Sequence, residues 1–214
     1  MIVKQHSLTI AVKHYLMTVM KPKKSPGGGR PREFDRDAAL ETAMRLFWRH
    51  GYEGVSFQQL TAAMGVAAPS LYAAFGNKSA LYLEAVDRYR SLRGATDLSF
   101  MDVYETADDA VLALLIATAH GLSDPSTEAG CMLNMGMLTS HPDHAEIAAQ
   151  LSERRTAFTA LLAGKLQRWL DEEAAADRAV YLSAVIQGMA VQARDGAGRE
   201  RLEGLARLAA KAIS

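Results

Sequence analysis

One cysteine, Cys131, stands in a chain of 214 residues, so no disulfide can form within it and the fold must be held by its core. A lone thiol also fits a reducing compartment, and the expected localisation is cytoplasmic. No uninterrupted apolar run approaches the roughly 20 residues that a membrane-spanning helix needs, so no membrane partner is expected. Also missing are the local signatures of common catalytic sites: there is no Gly-rich phosphate loop, no G-x-S-x-G elbow, no H-E-x-x-H and no C-x-x-C. Carboxylate pairs such as Glu172-Glu173 fall on apparent solvent faces. The chain is therefore not expected to be an enzyme, and no cofactor or bound metal is expected. Net charge is absent too, with 24 Lys+Arg against 24 Asp+Glu.

That zero hides an asymmetry. Residues 1–94 hold 14 Lys+Arg against 7 Asp+Glu, and residues 95–214 hold 10 against 17, so the halves carry +7 and −7. A basic N-terminal part is the electrostatic footprint of a nucleic-acid partner, whereas the acidic remainder would be repelled by phosphate and must serve another purpose. Much of the basic charge lies in KPKKSPGGGRPR, residues 21–32, where Lys21, Lys23, Lys24, Arg30 and Arg32 stand among three Pro and three Gly. Such a segment cannot pack, and residues 1–32 are expected to form a disordered basic arm. Arms of this kind order when they enter a minor groove or track phosphates; the alternative is a solvated tail that aids solubility. Residues 1–19 lack the clean apolar core and cleavage site of a signal peptide, and read as an over-long start with Met17 or Met20 as the initiator.

The most informative stretch runs from Ser56 to Lys78. Ser56 is a natural helix N-cap, and Phe57, Leu60 and Ala63 or Met64 follow along one face of a short helix. Gly65 then supplies the left-handed residue that ends it. Pro69 stands where a second helix begins, its missing N–H harmless there, and Leu71, Tyr72 and Phe75 give that helix an apolar side. Gly76-Asn77 stops it. Two helices across a tight Gly-centred turn make the helix-turn-helix pattern. Upstream, Asp35 or Asp37 caps a longer helix with Ala39, Ala43, Leu46 and Phe47 along its inner face, ended by Gly51; His50 beside it suits the negative end of the helix dipole. Tyr52 and Val55 staple the next turn into the core.

From GRPREF to NKSALY, about 60 residues read at motif level, the chain resembles the DNA-binding half of the TetR/AcrR family of bacterial transcription repressors. The resemblance rests on the spacing G-Y…S…L…G-V…LY..F..K…L and implies a three-helix DNA-binding domain over 33–79. Residues 80–214 would then form a helical effector-binding and dimerisation domain, the whole being all-α. It also implies site roles. Ser56 and Gln58 match phosphate-contacting positions. Ala67, Ala68, Pro69, Ser70 and Tyr72 match the segment that enters the major groove, the Tyr72 hydroxyl reaching a phosphate. Lys78 matches a phosphate-binding lysine, and Arg30 and Arg32 of the arm join them. One departure stands out: Ala67, Ala68 and Ala73 occupy places where many relatives carry polar side chains. Ser70 is left as the clearest donor, so thymine methyls, groove shape and the arm would carry much of the specificity.

Beyond the linking helix of residues 77–93, with Leu81, Ala85, Tyr89 and Leu92 on one side, the sequence is helical but less specific. Asp108–His120 is apolar almost all round and reads as buried. Gly130–Ser140, GCMLNMGMLTS, reads as the start of a Met-rich helix, either an adaptable cavity wall or core packing. The GC-L-N run resembles a subgroup in which this helix lines the effector pocket, which makes Leu115, Ala119, Cys131, Met132 and Met135 the expected pocket residues. His120, His141 and His144 could flank Cys131 as a metal or redox site. Against that, Pro142 makes His141 a loop residue, and Asp143 reads as the N-cap of the next helix. His144–Asp171 and Ala174–Arg194 are long amphipathic helices, and Arg199–Ile213 is a last one. In the family the two long helices pair with their copies; the expected contacts are Phe158, Leu162, Leu166, Trp169, Val185, Gln187, Gly188 and Val191.

The expectation from these readings is a homodimeric regulator on a palindromic double-stranded DNA operator, released by a small molecule, mostly apolar or electrophilic. The alternatives are an effector-independent DNA binder, or a redox- or metal-sensing regulator acting through Cys131 and the nearby histidines.

Overall fold

The computed structural model describes residues 34–92 and 97–212. The arm with Arg30 and Arg32 lies outside them. Among the described residues every regular element is helical, as expected.

Local chemistry explains most of the boundaries. Helix α1, Arg36–His50, starts where Asp35 Oδ1 accepts the Ala38 amide at 3.0 Å. It stops at Gly51, whose φ of 73° only glycine adopts cheaply. Helix α2, Phe57–Met64, is opened by a reciprocal box: Ser56 Oγ accepts from Gln59 N at 3.1 Å, and Gln59 Oε1 accepts from Ser56 N at 2.7 Å. Gly65, at φ 67° and ψ 34°, ends it, and α3 follows over Ala68–Phe75. Asn77 Oδ1 accepts the Ala80 amide at 2.8 Å and opens the linking helix α4, Lys78–Leu92.

After a 3-10 turn at Ser99–Val103 come α5, Ala107–Leu122, the one-turn α6, Met132–Met135, and a second 3-10 turn at Pro142–His144. Three long helices complete the chain: α7, Ala145–Leu166; α8, Glu172–Arg194; and α9, Arg199–Lys211.

Three boundaries depart from expectation. The Met-rich segment is a single turn rather than a helix to Ser140, because Gly136 and Met137 (φ 54°) turn the chain out of it. Gly136 lies so close to its neighbours that a Cβ there would sit 2.6 Å from Met132 O, 2.7 Å from Leu151 Cδ2 and 2.8 Å from Tyr82 Oη. Asp143 lies inside the second 3-10 turn and does not cap α7, which follows His144 with no side-chain cap. Helix α7 ends at Leu166 instead of reaching Asp171, which caps α8 by accepting from Ala174 N at 2.9 Å.

Two hydrophobic cores result. The first joins α1 (Ala39, Leu40, Ala43, Met44, Phe47, Trp48), Tyr52, Val55, Leu60, Leu71 and Phe75 to five α4 residues, Leu81, Tyr82, Ala85, Val86 and Tyr89. It also takes in Met132, Leu133, Met137, Ile147 and Leu151, so the packing around the helix-turn-helix runs well past residue 79. Tyr82 is its hub, with its ring centroid 5.0 Å from Phe47 and 5.1 Å from Tyr52. Burial pushes its phenol up to about 12, so it stays protonated at physiological pH. The second core joins α5 to α8 and α9 and takes in Leu162 and Leu166 of α7.

Gly136→Ala tests the close approach at Tyr82 and Leu151. Because one clashing atom is a backbone oxygen, overpacking should destabilise the fold by about 1–3 kcal/mol, read as a lowered denaturant midpoint. An unchanged midpoint would mean that the neighbours yield freely.

Candidate nucleic-acid interface

The turn between α2 and α3 is built by the backbone. Gly65 N–H reaches Ala62 O, and Val66 N–H reaches Thr61 O at 3.1 Å. Inside the turn Leu60 and Leu71 are fully buried and fix the two helices against α1 and α4. Ser56, Gln58, Ala67, Ala68, Pro69, Ser70 and Tyr72 are all exposed, while Lys78 is partly so. Of the two glutamines, Gln59 is committed to the cap and Gln58 keeps a free side chain toward solvent.

Tyr72 is 51% exposed, and its ring stacks on Phe57 at 4.1 Å with 19° between planes. Phe57 is therefore half-buried against α3 instead of turned fully into the core. This aromatic pair was invisible to helical periodicity because its partners lie on different helices. It holds the phenol outward at the surface where α2 and α3 meet, with its polar tip free for an anion.

Lys78 is the first residue of α4. Its Nζ lies 4.2 Å from the centre of the Tyr52 ring, and among the described residues no carboxylate is within ion-pair distance. Burial lowers its pKa, with Glu53 opposing more weakly. An ammonium held this way gains from an incoming phosphate.

Charge elsewhere on the head is nearly exhausted. Residues 34–92 contain Arg36, Arg45, Arg49, Lys78, Arg88 and Arg90 against Asp35, Asp37, Glu41, Glu53, Glu84 and Asp87, six and six. Arg36 forks onto Glu84, with Nη2 at 2.8 Å, and lies over Phe75. Arg45 pairs with Glu41, Arg90 with Asp87, and Arg49 with Glu128. The +7 of residues 1–94 therefore comes from residues 1–33, with seven Lys+Arg against Glu33, and from Arg93. The folded surface offers shape and a few donors; the cationic charge is in the arm.

The remaining predicted positions are distributed as follows. Leu115 and Ala119 are fully buried in the second core, Met132 belongs to the first, Met135 packs on the second, and Cys131 touches both. Of the five, Cys131 alone packs against both cores. Cys131 Sγ accepts the Asn134 amide at 3.4 Å, while His120 Nε2 lies 2.8 Å from Glu203 on α9, and the His141 Nδ1 accepts from Asp143 N. The histidines thus serve other contacts, and among the described residues no cluster of three or more His, Cys, Asp or Glu could hold a metal.

Two of the expected dimer contacts need correction. Leu162 and Leu166 are fully buried within their own chain, where they pack in the second core, so they have no surface to offer a partner. Phe158, Trp169 and Val185 also lean on that core. Gln187, Gly188 and Val191 are exposed, and Val191 is joined by Leu161, Val180 and Tyr181 as exposed apolar side chains on the same two helices. A Cβ at Gly164 or Gly188 would meet nothing within 4 Å, so these glycines serve no packing need inside the chain.

A family model for bacterial regulatory proteins of the tetR family matches residues 39–85. The chain is 37% identical over 185 residues to the HTH-type transcriptional repressor ComR of Escherichia coli (strain K12), covering 81% of this chain and 86% of that protein. It is 28% identical to the HTH-type transcriptional repressor BdcR of the same strain, over 89% of this chain and 95% of the relative. Among solved structures, a cysteine mutant of the regulator CifR complexed with 26 bp double-strand operator DNA superposes with a TM-score of 0.79 at 34% identity, over 86% of this chain and 99% of that one.

Proposed function

The chain belongs to the TetR family of bacterial regulatory proteins, and from that premise we propose that it is a homodimeric transcriptional repressor. It binds a palindromic double-stranded operator and leaves it when a small molecule binds the acidic helical part. Such release needs only that the molecule favour one of two conformations. The relatives are repressors, and the likeness to an operator-bound regulator extends over most of the chain. A regulator of transcription works beside the chromosome, in the cytoplasm. ComR and BdcR are both named as transcriptional repressors, and a regulatory role is what we assign to this chain.

The observation that carries this reading is the surface made by α2, Gly65 and α3, where Gln58, Ser70, Tyr72 and Lys78 are presented together by buried Leu60, Leu71 and Tyr52. Cys131, which packs against both cores, and its apolar neighbours Met132 and Met135 support an effector that is mostly apolar.

A gel shift against DNA from the intergenic region upstream of its own gene, with excess nonspecific competitor, tests the DNA-binding reading. A competitor-resistant shift is expected. Tyr72→Phe and Lys78→Ala should each weaken it by about 5- to 30-fold, and only Lys78→Ala should reduce the salt slope, by about 1 per contact. A wild-type shift abolished by competitor would refute operator recognition in that region.

A further inference from the structure

The end of α1 is fastened to α8 by a set of contacts separate from the linking helix. Trp48, buried in the first core, donates its Nε1–H to Gly130 O at 3.2 Å. Gly130, at φ 83°, lies against α8: a Cβ there would stand 3.2 Å from Ala190 O and 3.4 Å from Arg194 Cβ. The next residue of α1, Arg49, forks onto Glu128 with its Nε and Nη2 at 2.8 and 2.7 Å. From the α8 side Arg194 Nη2 donates to the Arg49 carbonyl oxygen. One turn further, Glu53 Oε1 accepts the His141 amide at 2.8 Å. These bonds join residues 79 to 145 positions apart in sequence, and all converge on the last turn of α1 and the loop after it.

We propose that Trp48, Arg49, Glu128, Gly130 and Arg194 form a strut that sets the separation of the two reading heads in the dimer, and with it the operator half-site spacing that the protein accepts. The proposal rests on the operator-binding reading above. Helix α8 carries the exposed stripe Val180, Gln187, Gly188 and Val191, and the homodimer proposed above places a second copy on it, which makes α8 part of the two-fold body. Pinning α1 to the far end of the same helix transmits the position of the two-fold axis to the head in one rigid step. The head and the linking helix share the first core and move as one piece, and the Arg49, Glu128 and Arg194 bonds add a direct tie from that piece to α8. One base pair of extra spacing moves a half-site by about 3.4 Å and turns it by about a tenth of a helical turn, so a head that cannot swing rejects it.

Three substitutions test the strut without touching the DNA-facing surface. Glu128→Gln and Arg194→Gln change exposed or rim side chains and leave both cores intact; Trp48→Phe keeps an aromatic side chain but removes the donor together with part of the buried ring volume. Two readouts are made on the full-length protein. In DNA-free protein, hydrogen exchange of amides in 47–57 and 128–131 should accelerate about fivefold or more, while exchange in the middle of α5 stays unchanged. On operators lengthened or shortened at the centre by one or two base pairs, the wild type should lose about tenfold or more per step, and the Glu128→Gln, Arg194→Gln double variant should lose several-fold less. Affinity for an isolated half-site should not move, which separates positioning from lost contact or lost fold. Unchanged exchange in all three variants, or a double variant that keeps the wild-type spacing preference, would overturn the strut. If the wild type recognises no operator, the DNA-binding reading fails, and the exchange measurement alone decides whether the pin exists.

Discussion

Removing residues 1–32 is expected to lower operator affinity by about a hundredfold or more at physiological salt, and to flatten its salt dependence, while the helical body keeps its unfolding temperature. The reasoning is electrostatic. Binding to a duplex gains most of its sequence-independent affinity from counterions released as cations neutralise phosphates, and log K falls by about 0.9 per phosphate neutralised for each unit of log salt. The described head, residues 34–92, has six cations and six carboxylates, and Arg36, Arg45, Arg49 and Arg90 already have carboxylate partners. Lys78 and Arg88 remain, and of these Lys78 is the proposed phosphate ligand. The arm adds Lys21, Lys23, Lys24, Arg30 and Arg32, ten charges in a dimer. If about half of them reach phosphates, the slope should fall by about 4 to 5 on truncation.

Anisotropy titrations between about 50 and 200 mM salt measure this directly, a range over which several lost contacts separate the two proteins by orders of magnitude. Removing only residues 1–19 is the control, because that segment contributes two lysines and none of the five arm cations. An unchanged slope after removal of 1–32 would show that the folded head does the electrostatic work, and that the pairs on its surface open when DNA arrives.

The contrast between arm and head also shows what could be read from the sequence. Ser56, Gly65, Pro69 and Asn77 act through bonds to residues a few positions away, so the helix-turn-helix was legible from spacing alone. The all-helical class followed from periodicity in the same way. The Met-rich segment is not legible as a single turn, because the residues that crowd position 136 where the chain leaves the helix, Tyr82 and Leu151, lie far off in the chain. The Trp48 and Gly130 bond spans 82 positions and Arg49 to Glu128 spans 79, and no local pattern encodes either. Phe57 looked like a core residue because its spacing is correct for one; its stacking on Tyr72 depends on how α3 crosses α2.

The same limit explains Leu162 and Leu166, and it leads to the second large effect. An amphipathic helix announces an apolar stripe, but not whether its own chain or a second copy covers that stripe. Here the leucines at 162 and 166 are buried in the second core of the same chain, whereas Leu161, Val180, Tyr181 and Val191 remain exposed. Gly188→Arg and Val191→Arg are therefore expected to give folded monomers at micromolar concentration by sedimentation equilibrium. In an isologous contact each substitution enters twice and brings two unpaired charges into an apolar face. Operator affinity should fall about 10²- to 10⁴-fold, because the second head no longer binds as part of the same molecule. Leu162→Ala should act differently. It removes a fully buried side chain and should lower unfolding free energy by about 2–5 kcal/mol, with little change in the dimer dissociation constant measured well below the melting temperature. If Leu162→Ala yielded a folded monomer while the arginine variants stayed dimeric, the covered and uncovered stripes would have been assigned the wrong way round. The comparison is decisive because the two sets of residues lie on the same pair of helices and differ only in which face they occupy.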